Sequence, residues 1–266
     1  MPHRPSLPEC EIVELRQYVL HPGQRDVLIE LFEREFLETQ EAVGMQVLGQ
    51  FRDLDDANRF VWLRGFHDMA GRLSGLRAFY DGPAWQAHRN AANATMLDSD
   101  NVLLLRPAWP GAGLAVQAGQ RAQPGATAAP GGVVDLTVFA LRAPAGAALL
   151  DLCRATLSPV LGRGGARTTA WYVTESTPND FPRLPLREGE PVLVGVALFD
   201  DLATVAAFAR SGAWAREAVP ELAPWLAGPA ECHRLAPTPR STLHLGPPHP
   251  QGPQATAPAQ RAGSPK

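Results

Sequence analysis

The sequence predicts an α+β fold in which one β-α-β-β-α-β order is written twice. Three observations predict it. The stretch "VELRQYVLHPG" (13–23) returns as "VDLTVFALRAPAG" (134–146), aligning Glu14 with Asp135, Arg16 with Thr137 and Tyr18 with Phe139. Two later echoes keep the register: "FHDMA" (66–70) with "FDDLA" (199–203), and "GPAW" (82–85) with "SGAW" (211–214). Between the halves, and again at the end, run segments rich in Pro, Gly, Ala and Gln, with too few large apolar side chains to offset the entropy of ordering.

In the first half, 11–20 reads as a strand. "HPGQRDV" turns the chain into a helix whose apolar stripe is Leu28, Leu31, Phe32, Phe36 and Val43, with Glu30, Glu33, Arg34, Glu38 and Glu41 on the other face. Gly44 ends it. "MQVLGQF" and "RFVWLRGF" are strands joined by the polar turn "RDLDDAN". A second helix carries Met69, Leu73, Leu76 and Tyr80, breaks at "DGP", and restarts with Pro83 at a first helical position. "NVLLLRP" is the closing strand. The second half follows with strand 133–142, helix 145–162, strand "TTAWYVTE", the longer loop "STPNDFPRLPLREG", strand "PVLVGVALF", helix 202–227 and strand "ECHRLA". The order defines two tandem ferredoxin-like repeats. The domains are 1–108, a linker at 109–131, 132–245, and a disordered tail at 246–266.

Composition bounds the function. The 266 residues carry a formal net charge of only −3, with no basic stripe, which argues against nucleic acid as a partner. Three cysteines without CxxC spacing fit reduced thiols rather than a disulfide framework or a zinc site. The start has no apolar h-region and no run approaches a membrane span, so the expected location is cytoplasmic. No GxSxG, P-loop, GxGxxG or HExxH is present, and the seven histidines lack metal-ligand spacing, so no metal site is expected.

"VELRQYVLHPG", the Glu-rich helix, "WLRGFHD" and "GPAWQAHR" leading to "LLLRP" resemble the NIPSNAP family of the dimeric α+β barrel superfamily, over residues 11–107. The second half keeps only the skeleton. The resemblance implies that the halves pack sheet to sheet as an α+β barrel inside one chain, a monomer with an intramolecular pseudo-dimer and scope for further self-association. It also implies a set of activities found among barrel relatives: cofactor-free oxygenases, isomerases and haem-handling enzymes, beside family members of undefined role.

Strand alternation sorts the side chains into two faces. Val13, Leu15 and Val19, with Val61 and Leu63, suit the helices. Glu14, Arg16 and Tyr18, with Phe60, Trp62, Arg64 and Phe66, are expected to face the partner sheet. There the small Gly195 and Ala197 of the other half would leave room. The ligand-binding candidates are therefore Glu14, Arg16, Tyr18, Trp62, Arg64 and, on the second helix, His88. Arg16 suits an oxyanion, against the simpler reading of an ion pair with Glu14. Tyr18 and His67 are the catalytic candidates: a phenol that donates to a carbonyl, and an imidazole that titrates near neutrality. His67 has a competing reading as part of a helix cap built on Asp68. His88 has one as a surface residue, and the matched Trp85 and Trp214 as packing. No cofactor is expected; haem held by His67 or His88 is the alternative. Two functions follow. One is a small-molecule protein that binds an anionic or aromatic ligand in a barrel cleft, as a cofactor-free oxygenase or isomerase. The other is a non-catalytic interaction protein with a filled barrel.

Overall fold

The computed structural model describes residues 9–115 and 121–246, so the expected tail lies, beyond Gly246, outside the described residues. The first half runs β1 (Ile12–Leu20), α1 (Arg25–Leu31), a π-helical turn (Phe32–Phe36), α2 (Leu37–Glu41), β2 (Gln46–Asp53), β3 (Arg59–Phe66), α3 (Met69–Tyr80), α4 (Pro83–Asn93), β4 (Met96–Asp98) and β5 (Val102–Pro107). The second runs β6 (Val133–Ala140), α5 (Ala147–Leu152), a π-helical turn (Cys153–Leu157), α6 (Ser158–Arg163), β7 (Thr168–Thr174), β8 (Val192–Phe199), α7 (Leu202–Ser211), α8 (Ala213–Glu217), α9 (Val219–Leu222) and β9 (Glu231–Pro237).

Local chemistry explains the boundaries. Gly44 adopts φ +86° where the chain leaves the first helix for β2. Asp68 caps α3 by accepting from the Gly71 amide at 2.6 Å, and Asp201 caps α7 by accepting from the Thr204 amide at 2.8 Å. The helix expected over 202–227 is broken because Gly212 is left-handed, with φ +66°. The short β4, which adds to β1 outside the barrel, was not legible in the sequence.

All strand pairs are antiparallel, and eight strands close into a ring in the order β1-β3-β2-β9-β6-β8-β7-β5, returning to β1. The sheets of the two halves face each other across the ring. The halves also join edge to edge, at two short seams: 51–53 of β2 with 235–237 of β9, and 105–107 of β5 with 172–174 of β7. Ring closure leaves the eight strands without open edges.

The faces are the reverse of those expected. Val13, Leu15, Val61 and Leu63 share one buried cluster with Leu48, Leu103, Leu136, Tyr172, Val194 and Leu235. Every barrel strand contributes to it and no helix does, so it is the lumen, filled by the protein's own side chains. Ile12, Tyr18, Phe60, Trp62 and Phe66 instead pack under the helices with Leu28, Phe32, Phe36, Leu76 and Phe79. A separate cluster lies under the second half's helices and includes Phe139, Trp171, Leu193 and Phe199. The physical reason is packing: the inward faces of eight strands fill the lumen mainly with aliphatic side chains, whereas the buried charges of β1 and β3 find further partners, Arg72 and Gln40, on the helices outside.

The connector carries no helix or strand over its described residues 109–115 and 121–130. It is not loose throughout, however. Leu114 is buried in the lumen cluster and its amide donates to the Tyr172 hydroxyl at 2.7 Å. Arg121 pairs with Glu41 at 2.6 Å. After β9 a strap crosses onto the first half, where Glu33 in the π turn accepts from the Thr238 hydroxyl at 2.6 Å and the Arg240 amide at 2.9 Å.

Candidate functional site

The first half's helix-facing sheet surface is organised by one carboxylate. Glu14 is fully buried and meets three guanidinium groups: Arg16 at 2.8 Å, Arg64 at 2.7 Å and Arg72 at 2.8 Å. The register makes two of these contacts inevitable, because Glu14 stands opposite Arg64 and Arg16 is its neighbour on the same face, opposite Trp62. Arg72 arrives from α3. Burial alone would push the Glu14 carboxyl up, but Arg64, Arg16 and Arg72 hold it down, to about 2.

One carboxylate does not balance three guanidinium groups. Arg72 takes a second acid, Asp180, from the loop between β7 and β8, and donates to the Asn179 side chain at 3.3 Å. Arg64 donates to Gln40 at 3.2 Å. Arg16 turns its Nε to the Tyr18 hydroxyl, at 2.8 Å. It also lies against the rings of Tyr18 and Trp62, at 5.4 and 5.6 Å from their centres. Three buried cations against two acids leave this layer positive.

A cavity of about 420 Å³ opens beside it, between β1, the end of α3, α4 and the 175–191 loop. Arg16, Arg89 and Arg183 supply its cationic lining, Tyr18, Tyr80, Trp85 and Phe181 its aromatic walls, and no acid lines it. Arg183 is shared with Asp81 at 2.9 Å. Burial raises the Tyr18 hydroxyl pKa, so it is protonated at neutral pH. Because its oxygen accepts from Arg16, its proton is free to point at a bound group, which makes Tyr18 a donor and not a base.

The structure gathers only part of the set read from the sequence. Arg16 and Tyr18 line the cavity; Trp62 lines a small recess beside it. Glu14 and Arg64 sit behind, holding Arg16 and the helices. His88 points away, 3.4 Å from Glu35. His67 is 75% exposed and 3.0 Å from Asp68, the helix cap. Neither histidine lines the cavity, so neither is placed to hold a haem there. Gly195 and Ala197 do not face Arg16: they lie under the second half's own helices, and the space at Gly195 is taken by the Trp171 ring, 2.8 Å from where a Cβ would stand. Sequence reasoning missed Trp85 and Arg89, one turn apart on α4 and so on one face, and missed everything the distant loop contributes.

Among the described residues no group of His, Cys, Asp and Glu could hold a metal ion, and no helix is long and apolar enough to cross a membrane.

A closed antiparallel barrel of eight strands wrapped by helices defines an α+β barrel protein, and solved structures share that architecture. The chain is similar to a candidate monooxygenase from Fusobacterium nucleatum (8% identity, TM-score 0.56, covering 90% of this chain and 97% of the other). It is also similar to one from Lactobacillus acidophilus (10%, 0.52, 88% and 98%). Residues 13–109 match the NIPSNAP family model. An uncharacterised NIPSNAP-like domain protein from Burkholderia xenovorans is 24% identical over 40% of this chain and 91% of its own, with a TM-score of 0.36. No curated protein matches the chain by sequence.

Proposed function

We propose that the protein binds a small anionic aromatic molecule in the cavity between β1, α4 and the 175–191 loop, not in the barrel lumen. One observation carries this reading: three arginines and four aromatic rings line a cavity with no acid in its walls. A guanidinium offers a carboxylate or phenolate charge and directed donors, and the rings offer flat apolar area. In chemistry, the site fits a cofactor-free oxygenase or isomerase. The protein would supply charge stabilisation from Arg16 and a hydrogen bond from Tyr18 to an oxygen that gains negative charge during reaction. Two solved structures with this fold bear the description of candidate monooxygenases, which supports the oxygenase side.

We read the two halves as diverged copies of one unit, of which only the first kept a site. A single shift carries Glu14, Arg16, Tyr18 and the π turn Phe32–Phe36 onto Asp135, Thr137, Phe139 and the π turn Cys153–Leu157. A second shift carries Phe60, Trp62, Arg64 and Asp68 onto Leu193, Gly195, Ala197 and Asp201, and the pairings agree: Arg16–Trp62 corresponds to Thr137–Gly195, and Glu14–Arg64 to Asp135–Ala197. The two shifts differ by the extra length of loop 175–191 over loop 54–58, and that longer loop roofs the first half's cavity.

Calorimetric titration of 2-naphthoate tests the ligand reading. Arg89→Met, at an exposed residue, lowers its affinity about tenfold while leaving unfolding unchanged. The filled lumen favours a second reading, a non-catalytic interaction protein. Failure of 2-naphthoate and other aromatic acids to bind the native chain at millimolar concentration supports that one.

A further inference from the structure

We infer that the molecule taken by this cavity is an aromatic acid whose end remote from the charge carries a neutral hydrogen-bond acceptor, such as a ketone oxygen, and that the indole N–H of Trp62 receives it. The inference rests on the anion-site reading and adds the chemistry of the ligand's other end.

Trp62 is 3% exposed, and its Nε1 is buried without a partner among the described residues. Buried side-chain atoms of Gln17, Arg25, Gln50 and His233 share that condition, and Arg64 Nη2 has only its ion pair with Glu14, but none of those residues lines a cavity described above. Trp62 lines a recess of about 30 Å³ that shares Tyr18, Tyr80, Trp85 and Met96 with the main cavity. That space holds about one water or one carbonyl oxygen.

The rest of the recess explains why the acceptor is neutral. Leu28, Phe32, Phe36 and Phe79 are apolar. The Gln40 amide is occupied, its oxygen taking Arg64 and its nitrogen donating to the Phe36 carbonyl at 3.0 Å. A second anion would be desolvated here without a direct charge partner, whereas an uncharged oxygen needs only the one donor that is free. An indole N–H is a donor only, so the group it waits for is an acceptor.

The second half supplies the contrast. Its corresponding rung pairs Trp171 with Gly195 where the first half pairs Gln50 with Trp62. Trp171 donates to the Ser158 hydroxyl of α6 at 2.8 Å. Where no cavity was kept, the helix satisfies the indole; where the cavity exists, the helices leave it free.

The test uses the full chain and two probes of one shape: 6-acetyl-2-naphthoate, which carries the ketone, and 6-isopropenyl-2-naphthoate, in which a methylene replaces that oxygen. Wild-type protein is expected to bind the acetyl probe about tenfold more tightly in calorimetric titration. Trp62→Phe, which keeps a ring, is expected to erase the preference by weakening the acetyl probe alone. Equal affinity of the wild type for both probes overturns the inference while leaving the anion site standing, and this comparison needs no variant. A preference that survives in Trp62→Phe also overturns it. Failure of both probes to bind removes the anion site and the inference together.

Discussion

The two halves of this barrel bury very different chemistry behind strands paired in the same antiparallel way. Under the first half's helices, one carboxylate gathers three arginines around Trp62 and Tyr18. Under the second half's, the corresponding positions hold Asp135, Thr137, Ala197 and Gly195, and the layer is closed by Trp171, Phe139 and Phe199. Burial raises the Asp135 carboxyl, which has the Thr137 hydroxyl at 3.3 Å, Ala197 opposite it on β8 and, on β9, Arg234, whose side chain is half exposed and paired with Asp55. The comparison teaches that the sheet face itself does not demand a charged network. The network exists where a cavity and the 175–191 loop adjoin it.

The largest expected effect tests that asymmetry directly. Glu14→Gln strands three buried guanidinium groups and should cost about 3–5 kcal/mol in urea unfolding, whereas Asp135→Asn should stay within about 1 kcal/mol. Equal losses would break the comparison. The same residue governs acid stability. Glu14 is held at about 2 in the fold against 4.5 ordinarily, so the unfolded chain binds its proton first. Its contribution is complete above about pH 4.5 and is lost as pH falls toward 2, and Glu14→Gln should flatten that part of the stability profile. Gly195→Ala should cost about 1–3 kcal/mol by pressing on the Trp171 ring. A neutral result would mean that the second half has slack after all. Asp180→Asn should leave overall stability within about 1 kcal/mol yet speed proteolysis in the 175–191 loop by loosening its hold on Arg72. His67→Ala should change stability by less than about 0.5 kcal/mol and leave 2-naphthoate binding as it was, since His67 is exposed and off the cavity.

Most of the strands, the Asp68 cap and the Pro83 restart were legible because each is a local signal. The register between β1 and β3 was not legible: the internal echo aligned Arg16 with Thr137 and Trp62 with Gly195, half to half, and said nothing of how Arg16 pairs with Trp62. Nor was it legible which face looks inward. Alternation separates Val13 and Leu15 from Glu14 and Arg16 but attaches no label to either set. The deciding partners are distant: Arg72 on α3, Gln40 on α2 and Asp180 more than 100 residues away, at a separation of 108 from Arg72. A charged strand face looks exposed until those partners are known. The cavity was missed for the same reason, since its roof belongs to the other half.

The two short seams have a kinetic meaning. Hairpins such as β2–β3 and β7–β8 close over short stretches of chain, but His233 reaches Asp53 across 180 residues, beside the β2–β9 seam. Loops of that length are costly to close early. Each half therefore acquires its hairpins first, and the ring shuts last, as a clasp. Pulse-labelled hydrogen exchange during refolding would see this as late protection of the amides of Leu54 and Thr238, which donate to Arg234 and Gln50 across the seam. Until the clasp shuts, the aliphatic faces destined for the lumen stay in water, and the nascent chain is at its most vulnerable to self-association.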